Sequence, residues 1–365
     1  MTPTDIDLGH MRAALSLARR GLGRVWPNPA VGCVIIDTSG QVVGRGFTQP
    51  GGRPHAETEA LRQAGQLAHG GTAYVTLEPC AHHGKTPPCA EALIAAGIKR
   101  CVIAQQDPDP RVAGRGIEML RQAGQAISLG VLEPEAADVT AGFLKRIRTG
   151  RPLVTLKLAT TLDGRIATRR GQSQWITGPE ARHRGHLLRA SHDAILVGSG
   201  TALADNPNLT CRLPGLTEQS PVRIVLDRRL RLGLDSDLVQ TAGAVPLWLI
   251  TADGHPAEKL DPYRQAGVEI MALSDNNPGA ILSALGGRGL TRLLIEGGAQ
   301  IAAAFLQAGQ VDRLFWMRSS SILGGDAVAA IADLNLDDLI EMVRFERCSA
   351  QRIGGDYLET YRLLS

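Results

Sequence analysis

The chain has 365 residues, of which 44% are hydrophobic and 21% charged, and its formal net charge is +3. At about 100–200 residues per domain this length predicts two domains, and the composition excludes a disordered or fibrous protein. Acidic and basic residues are nearly balanced, with no run of five or more like charges, so duplex nucleic acid is not expected as a partner.

The N-terminal residues lack the unbroken apolar core of a signal peptide, because His10, Arg12 and Ser16 interrupt it. No stretch approaches the roughly 18 apolar residues of a membrane helix. We therefore expect a cytoplasmic protein with no membrane partner.

The six cysteines are too few for a disulfide scaffold, which favours reduced thiols or metal ligands. Four of them stand alone in apolar or mixed surroundings and are interpreted as packing residues: Cys33, Cys101, Cys211 and Cys348.

Short β-rich runs alternate with helical patterns through the first part of the chain. The predicted elements are strands over 31–37 and 41–47, a helix over 57–67, a strand over 72–77, a helix over 89–96, a strand over 100–105, a helix over 117–123 and a strand over 127–131. This order is typical of a layered α/β sheet. The periodicity weakens from Phe143 to Pro152, where basic residues, Gly and Pro interrupt it, and this predicts a domain boundary near 147–151.

A second alternation follows the boundary. The predicted elements are strands over 153–158, 194–197, 223–227, 245–250, 292–295, 314–317 and 357–362, and helices over 181–190 and 299–306. No internal repeat is present. The sequence thus predicts two α/β domains, residues 1–147 and 151–365.

The densest chemistry lies in His55-Ala56-Glu57 and in Cys80 and Cys89, which eight residues separate. One imidazole and two thiolates suit zinc, and three protein ligands leave a fourth tetrahedral position open for water, as in a catalytic site. Cys89 is expected to open a helix, whose dipole favours a thiolate.

Zinc lowers the pKa of a bound water to about 7. Glu57 is placed to move the proton without being a ligand. His-x-Glu followed by Pro-Cys-x-x-Cys is the signature of zinc deaminases of nucleobases, and this chain departs from it in the length of the spacer.

Other interpretations of these motifs exist. His55 could be a core histidine, with Cys80 and Cys89 unrelated or paired in a disulfide. His82 and His83 are further candidate ligands, but a closed four-ligand site would leave Glu57 without a role, so we expect them to line the pocket or face solvent. Gly84-Lys85-Thr86 mimics the end of a phosphate-binding loop, but Pro79 stands where that loop needs Gly.

Three stretches identify a known family: Pro-Cys-x-His-x-Gly-x-Thr-Pro-Pro-Cys at 79–89, Asn-Pro-Ala-Val-Gly-Cys at 28–33 and Gln-Asp-Pro-Asp-Pro at 106–110. They closely resemble the bifunctional riboflavin-biosynthesis enzymes that join a diaminohydroxyphosphoribosylaminopyrimidine deaminase to a 5-amino-6-(5-phosphoribosylamino)uracil reductase. The resemblance implies removal of the 2-amino group from 2,5-diamino-6-ribosylamino-4(3H)-pyrimidinone 5′-phosphate, then NADPH-dependent reduction of the ribose to a ribityl chain. It also implies zinc at His55, Cys80 and Cys89, with Glu57 catalytic, and Asn28 on the pyrimidine.

The second half resembles the reductase of that family, which implies a dihydrofolate-reductase-like fold. The resemblance of the first half implies a cytidine-deaminase-like three-layer domain. The matching stretches are 157–164, 173–177, 200–207 and 293–298. The resemblance implies NADPH contacts at Ala159, Trp175, Thr201, Asp205, Arg228, Gly298, Ala299, Gln300, Ile301, Ala302, Ala303 and Ala304. It implies contacts with the phosphoribosyl substrate at Ser173, Arg189, Leu209, Arg212 and Glu296.

Part of this pattern has a direct physical reason. Gly297-Gly298 after a strand lets the backbone approach a pyrophosphate at a helix N-terminus, where free amides favour anions. Arginine forks suit a sugar phosphate, although Arg189, Arg212 and Trp175 also have surface or packing interpretations. No Gly-x-Gly-x-x-Gly follows a strand, so a Rossmann domain is not predicted.

The chain departs from the family in Ser319-Ser320, where Ala-Pro is usual, and in Thr161, where Ser is usual. A nucleic-acid-editing deaminase with a C-terminal binding module is the alternative, but an aromatic content of 4% is low for a protein that stacks bases. A non-enzymatic zinc-stabilised protein is a second alternative. We expect a small-molecule substrate, no nucleic-acid partner and a homo-oligomer.

Overall fold

The structure is a computed structural model that describes residues 3–83, 87–110 and 112–364. The phosphate-loop mimic Gly84-Lys85-Thr86 lies outside the described residues. The chain divides into two compact units, Met1–Gly150 and Arg151–Ser365, which we call unit 1 and unit 2. Within the described residues, no helix is both long enough and apolar enough to span a bilayer.

Unit 1 is built on a five-stranded sheet. Its elements are α1 (Asp5–Arg19), β1 (Gly32–Ile36), β2 (Val42–Phe47), α2 (Ala56–Ala64), β3 (Thr72–Val75), α3 (Cys89–Ala95), β4 (Arg100–Ile103), α4 (Arg115–Gln122), β5 (Ala126–Leu129) and α5 (Glu133–Thr149), with short 3-10 helices at Pro50–Gly52 and Gly65–Ala68. The strand order is β2-β1-β3-β4-β5; β1 is antiparallel to β2 and β3, and β3, β4 and β5 are parallel.

Both faces of this sheet are buried, because successive side chains of a strand point to opposite faces. Cys33 and Ile35 join a core cluster with residues of α2, α3 and α4, whereas Val34 and Ile36 join a second cluster with residues of α1 and α5. Unit 1 is therefore a three-layer α/β domain, as the sequence predicts.

Unit 2 contains a nine-stranded sheet. Its elements are β6 (Leu153–Thr160), β7 (Arg165–Ala167), α6 (Pro179–Ala190), β8 (Ala194–Gly198), α7 (Ser199–Asp205), β9 (Val222–Leu226), α8 (Asp237–Gln240), β10 (Leu247–Ala252), α9 (Ala257–Gln265), β11 (Glu269–Leu273), α10 (Pro278–Gly287), β12 (Arg292–Ile295), α11 (Ala299–Gln307), β13 (Arg313–Arg318), β14 (Val328–Ala329), β15 (Phe345–Ile353) and β16 (Asp356–Leu363), with 3-10 helices at Thr217–Gln219 and Leu339–Glu341.

The order of this sheet is β11-β10-β9-β8-β12-β6-β13-β16-β15. The strands from β11 to β13 are parallel, and β16 and β15 add an antiparallel edge. Strands β8 and β12 are buried along their whole length, which explains why they are continuous apolar runs in the sequence. In such a sheet, ligands bind outside the carboxyl ends of the strands.

Several elements differ from the predicted ones. The interruption expected within residues 143–152 falls near the end of that segment, because α5 continues to Thr149 and ends at Gly150, whose φ is 72°. Helix α2 ends at Ala64 rather than at residue 67, since Gly65 leaves the helical conformation. Elements without a counterpart in the prediction are helices α1, α5, α7, α8, α9 and α10 and strands β7, β11, β14 and β15. Strand β15 is exposed along almost its whole length, so it shows no apolar alternation.

Candidate active sites

Three side chains from three segments of unit 1 meet around one point. The ligand atoms of His55, Cys80 and Cys89 all lie within 4.8 Å of one another. His55 Nδ1 is 3.3 Å from Cys89 Sγ and 3.7 Å from Cys80 Sγ. Metal bonds of about 2.0–2.3 Å in a tetrahedral arrangement place neighbouring ligand atoms about 3.5 Å apart. The three side chains therefore fit a single zinc ion.

Local structure explains why these residues converge. His55 is the N-cap of α2, Cys89 is the first residue of α3, and Cys80 lies in the loop after β3. The backbone N–H of Cys89 donates to Cys80 Sγ over 3.3 Å. A hydrogen bond between the two thiols, together with His55, lowers the pKa of Cys80 to about 4 despite burial. The N-terminus of α3 thus faces Cys80 Sγ, which favours a thiolate at Cys80.

Glu57 lies in the first turn of α2 and is 3% exposed. Burial and, to a smaller extent, the charge of Cys80 raise the pKa of its carboxyl group to about 7, although His55 opposes the shift. A carboxyl group with a pKa near neutrality can both accept and return a proton. This is the property needed in a general acid–base residue beside a metal site.

These groups open into a cavity of about 350 Å³ that Asn28, Glu57, His82, Asp107 and Asp109 help to line. The Asn28 amide donates to the carbonyl oxygen of Gly52 over 3.1 Å. A side chain at residue 52 would collide with the Asn28 amide, so glycine is required for this contact.

The two histidines of the spacer have different surroundings. His82 faces the cavity, where its buried Nδ1 makes no hydrogen bond among the described residues. His83 is exposed and contacts Glu91 over 3.0 Å. Neither belongs to the metal-binding group.

Sequence reasoning assigned no role to five charged residues that the structure places on this cavity. They are Arg53, Glu78, Asp107, Asp109 and Arg146. The Asp-Pro-Asp-Pro motif was the available signal for the aspartates, whereas nothing in the local pattern distinguishes the arginines from surface residues.

In unit 2, most candidate cofactor residues lie at or just beyond the carboxyl ends of parallel strands. Ala159 is near the carboxyl end of β6, Thr201 and Asp205 follow β8, Arg228 follows β9, and Gly298 follows β12. Gly298 is the N-cap of α11, which contains Ala299, Gln300, Ile301, Ala302, Ala303 and Ala304.

The turn before α11 consists of two glycines, so a ligand can come close to its backbone. Gly297 and Gly298 have φ values of 129° and 82°, conformations that favour glycine. Thr201 Oγ1 lies 3.4 Å from the point where a Cβ of Gly298 would be. The segments after β8 and β12 are therefore neighbours at the carboxyl ends of these strands. Together they can bind an anionic group at the N-terminus of α11.

Two candidate substrate residues form a buried ion pair. Arg189 donates to Glu296 through two bonds of 2.8 and 2.9 Å and to the carbonyl oxygen of Thr210 over 3.0 Å. The ammonium group of Lys157 lies 3.7 Å from the Glu296 carboxylate. Burial alone would raise the pKa of Glu296, but Arg189 and Lys157 overcome this effect and lower it to about 2. Lys157 stands in one of the stretches that match the family, but the sequence alone gives it no role.

The remaining candidates are spread more widely. Trp175 is 65% exposed, and the Arg182 guanidinium lies 4.5 Å from the centre of its ring. Ser173 is half-buried in the same loop, and Arg212 is exposed. Leu209 is buried in the hydrophobic core of unit 2, so only its backbone is available to a ligand.

The loop that departs from the family pattern is ordered by specific contacts. Ser319 and Ser321 share a hydrogen bond of 2.6 Å. The backbone N–H groups of Leu323 and Gly324 donate to Asp163 over 3.3 and 2.8 Å. Asp163 thus connects this loop to the turn after β6.

Comparisons with known proteins agree with this geometry. The RibD C-terminal domain family matches residues 152–358, and the cytidine and deoxycytidylate deaminase zinc-binding region matches residues 5–105. The chain is 42% identical over 350 residues to a riboflavin biosynthesis protein RibD of Bacillus amyloliquefaciens, covering 95% of this chain and 94% of that protein.

Two solved structures are similar over nearly the whole chain. One is Acinetobacter baumannii RibD, with a TM-score of 0.88 and 38% identity, covering 99% of both chains. The other is the deaminase/reductase of Thermotoga maritima, with a TM-score of 0.88 and 37% identity, covering 98% of this chain and 99% of that one.

Fold and site together define a zinc-binding deaminase domain joined to a dihydrofolate-reductase-like domain that implies a nicotinamide cofactor. The chain belongs to the RibD family, the bifunctional deaminases and reductases of riboflavin biosynthesis. The predicted family, fold class and paired activities are confirmed, and the nucleic-acid-editing and non-enzymatic alternatives are set aside.

Proposed function

We propose that the chain removes the 2-amino group from 2,5-diamino-6-ribosylamino-4(3H)-pyrimidinone 5′-phosphate and then reduces the ribosyl chain to ribityl with NADPH. We assign the first step to residues 1–147 and the second to residues 151–365. The observation that carries the proposal is the convergence of His55, Cys80 and Cys89 beside the buried Glu57. Cytoplasmic location and self-association stay predictions from the sequence.

In the first step, His55, Cys80 and Cys89 hold zinc, which supplies an activated water. Glu57 takes one proton from the attacking water and gives it to a ring nitrogen as the C–O bond forms. It then takes the second proton from the hydroxyl now on that carbon and gives it to the amino group, so that the C–N bond breaks, the carbonyl forms and ammonia leaves. Its buried position beside the ligands and its pKa near neutrality support this role. Asn28, held against Gly52, orients the pyrimidine.

In the second step, the bound nicotinamide supplies the hydride, and the chain must align it with the sugar. The glycine turn at Gly297-Gly298 and the start of α11 receive the pyrophosphate. Ala159, Trp175, Thr201, Asp205 and Arg228 complete the cofactor site. Ser173, Arg189, Leu209, Arg212 and Glu296 hold the phosphoribosyl substrate.

A basic segment supports NADPH rather than NADH. Arg228, Arg229 and Arg231 lie within five residues after β9, and all three are exposed. Arg231 Nη2 donates to Ser199 Oγ over 2.6 Å, which places it beside the start of α7. Arginine near the adenosine ribose is the usual way to accommodate the additional phosphate of NADPH.

The test is a coupled assay on the purified, zinc-loaded chain. Ammonia release from the diaminopyrimidine phosphate should come first, and NADPH oxidation should require the deaminated product. NADH should be a poorer reductant than NADPH. Absence of ammonia release from the zinc-loaded chain would refute the deaminase assignment, and equal use of both reductants would refute the preference for NADPH.

A further inference from the structure

Unit 1 contains a second buried carboxylate that the proposed chemistry does not use. Glu78 is 3% exposed and lies two residues before Cys80. Its Oε2 accepts the backbone N–H groups of Asp107 and Gly114 over 3.2 and 3.0 Å, and its Oε1 accepts the N–H of Ile117 over 3.1 Å. Three backbone donors therefore converge on one side chain from another part of the chain.

The start of α4 explains why this carboxylate is needed. The first N–H groups of a helix have no partner within the helix, and an N-cap side chain usually accepts from them. The N-cap here is Gly114, which has no side chain and a φ of 86°. Glu78 supplies the missing acceptor, and its negative charge suits the positive end of the helix dipole.

A tight backbone contact reinforces the same junction. A Cβ on Gly116 would lie 2.0 Å from the carbonyl oxygen of Pro79. The first turn of α4 therefore lies directly on the segment that leads to Cys80. The backbone N–H of Glu78 also donates to the carbonyl oxygen of Gln105 over 2.8 Å, so both ends of the loop before α4 are tied to Glu78.

That loop carries part of the cavity wall. Asp107 and Asp109 line the same cavity as Glu57 and Cys80. The Asp107 carboxylate accepts the backbone N–H of Asp109 over 2.8 Å, so the two aspartates are held to each other as well. The position of this wall relative to the metal ligands thus depends on Glu78.

We propose that Glu78 is a positioning residue for deamination, which clamps the Asp107–Asp109 wall to the Cys80 segment and so sets where the pyrimidine lies relative to Glu57. The proposal rests on the assignment of this cavity to the deaminase. Glu78 also lines this cavity, but in this role it acts through the backbone of the loop, to which both of its carboxylate oxygens are bonded.

The test is Glu78→Gln in the full-length, zinc-loaded chain. An amide has one acceptor oxygen, and its NH₂ group would face a backbone N–H, so at least one of the three bonds is lost. Misplacement by about 1 Å can cost about 100-fold, so we expect kcat/KM for deamination to fall by about 10- to 100-fold, mainly through KM. Zinc content and NADPH oxidation with the deaminated substrate should not change.

A matched control is Glu118→Gln, which alters an exposed carboxylate of α4 whose partner is Gln122. This variant should keep the normal KM. An unchanged KM in Glu78→Gln, or a loss of zinc that accounts for the lost activity, would overturn the proposal.

Amide hydrogen exchange gives a readout that does not depend on activity. Peptides covering residues 105–117 should exchange faster in Glu78→Gln, whereas peptides from β3 should not. If Glu78→Gln does not accumulate as folded protein, Glu78→Asp, which keeps the charge but retracts it, is measured by the same criteria. If Glu78→Gln exchanges faster but the wild type releases no ammonia, only the deaminase assignment is refuted. If exchange in residues 105–117 is unaltered in Glu78→Gln, the proposed positioning role of Glu78 is refuted.

Discussion

The two candidate sites differ in how their residues are distributed. In unit 1 the three candidate metal ligands meet within 4.8 Å, with Glu57 beside them. In unit 2 the candidates are spread along the carboxyl ends of β6, β8, β9 and β12. Hydrolysis at one carbon needs a compact centre, whereas hydride transfer needs an extended cradle that aligns a dinucleotide with its substrate.

The two units also differ in the pKa of a buried carboxyl group, Glu57 in unit 1 and Glu296 in unit 2. Burial opposes the charge of both, yet the pKa of Glu57 is raised to about 7 while that of Glu296 is lowered to about 2. The difference is that Arg189 and Lys157 surround Glu296. Groups whose environments push their pKa values apart serve different roles. Glu57 suits proton transfer, and Glu296 suits a permanently charged hydrogen-bond acceptor.

The largest effect should come from the metal ligands. Cys80→Ser or Cys89→Ser should remove the metal and abolish ammonia release, because a three-ligand site that loses a thiolate no longer holds zinc. Reduction of the deaminated substrate should persist. Metal analysis and the two separate assays measure this, with the exposed Cys348→Ser as control. Full zinc occupancy in both ligand variants would show that the ligand set is wrong.

Glu57→Gln should separate catalysis from metal binding. We expect deamination to fall by about 100- to 10,000-fold with zinc retained, since the carboxylate moves protons but is not a ligand. Glu59→Gln, two residues further along α2 and paired with Arg62, is the control. Near-normal turnover in Glu57→Gln would eliminate the proposed acid–base role.

Glu296→Ala should weaken the second step and leave ammonia release unchanged. It removes an acceptor for substrate hydroxyls and leaves the largely buried Arg189 without its carboxylate partner, although the bond to the Thr210 carbonyl remains. Removing one member of a buried ion pair destabilises a protein by about 3–5 kcal/mol. NADPH oxidation and thermal unfolding of the variant measure the two consequences. The division of labour between the units would be contradicted if deamination were lost and NADPH oxidation kept.

A smaller effect is expected in the pH dependence of stability. The pKa of Glu296 falls from 4.5 to about 2 on folding, so its ionised form stabilises the fold fully above pH 4.5, and this contribution is lost as the pH falls through about 2. A shift of this size corresponds to about 3 kcal/mol. Urea unfolding of the wild type and Glu296→Gln should show a difference that is largest near pH 6 and clearly smaller at pH 3. A difference that grows towards low pH would reverse the assigned sign.

Sequence reasoning located the strands with long apolar runs closely, and β12 matches its predicted bounds. It missed β15, whose side chains are almost all exposed, because periodicity records burial rather than hydrogen bonding between strands. It also predicted a break within residues 143–152; the break is at Gly150, because the buried face of α5 keeps the helix intact to Thr149 despite the basic residues before it.

The sequence by itself determined the chemistry of the first site. His55 and Glu57 share one helix start, and Cys89 begins another, so their spacing along the chain already predicts their positions. Only the tertiary structure decided which distant groups meet. Arg189 and Glu296 are separated by 107 positions, and Glu78 and Gly114 by 36. Such pairs provide partners for buried charges and buried backbone N–H groups. The need for these partners arises only when the chain is compact, and it leaves no periodic pattern in the sequence.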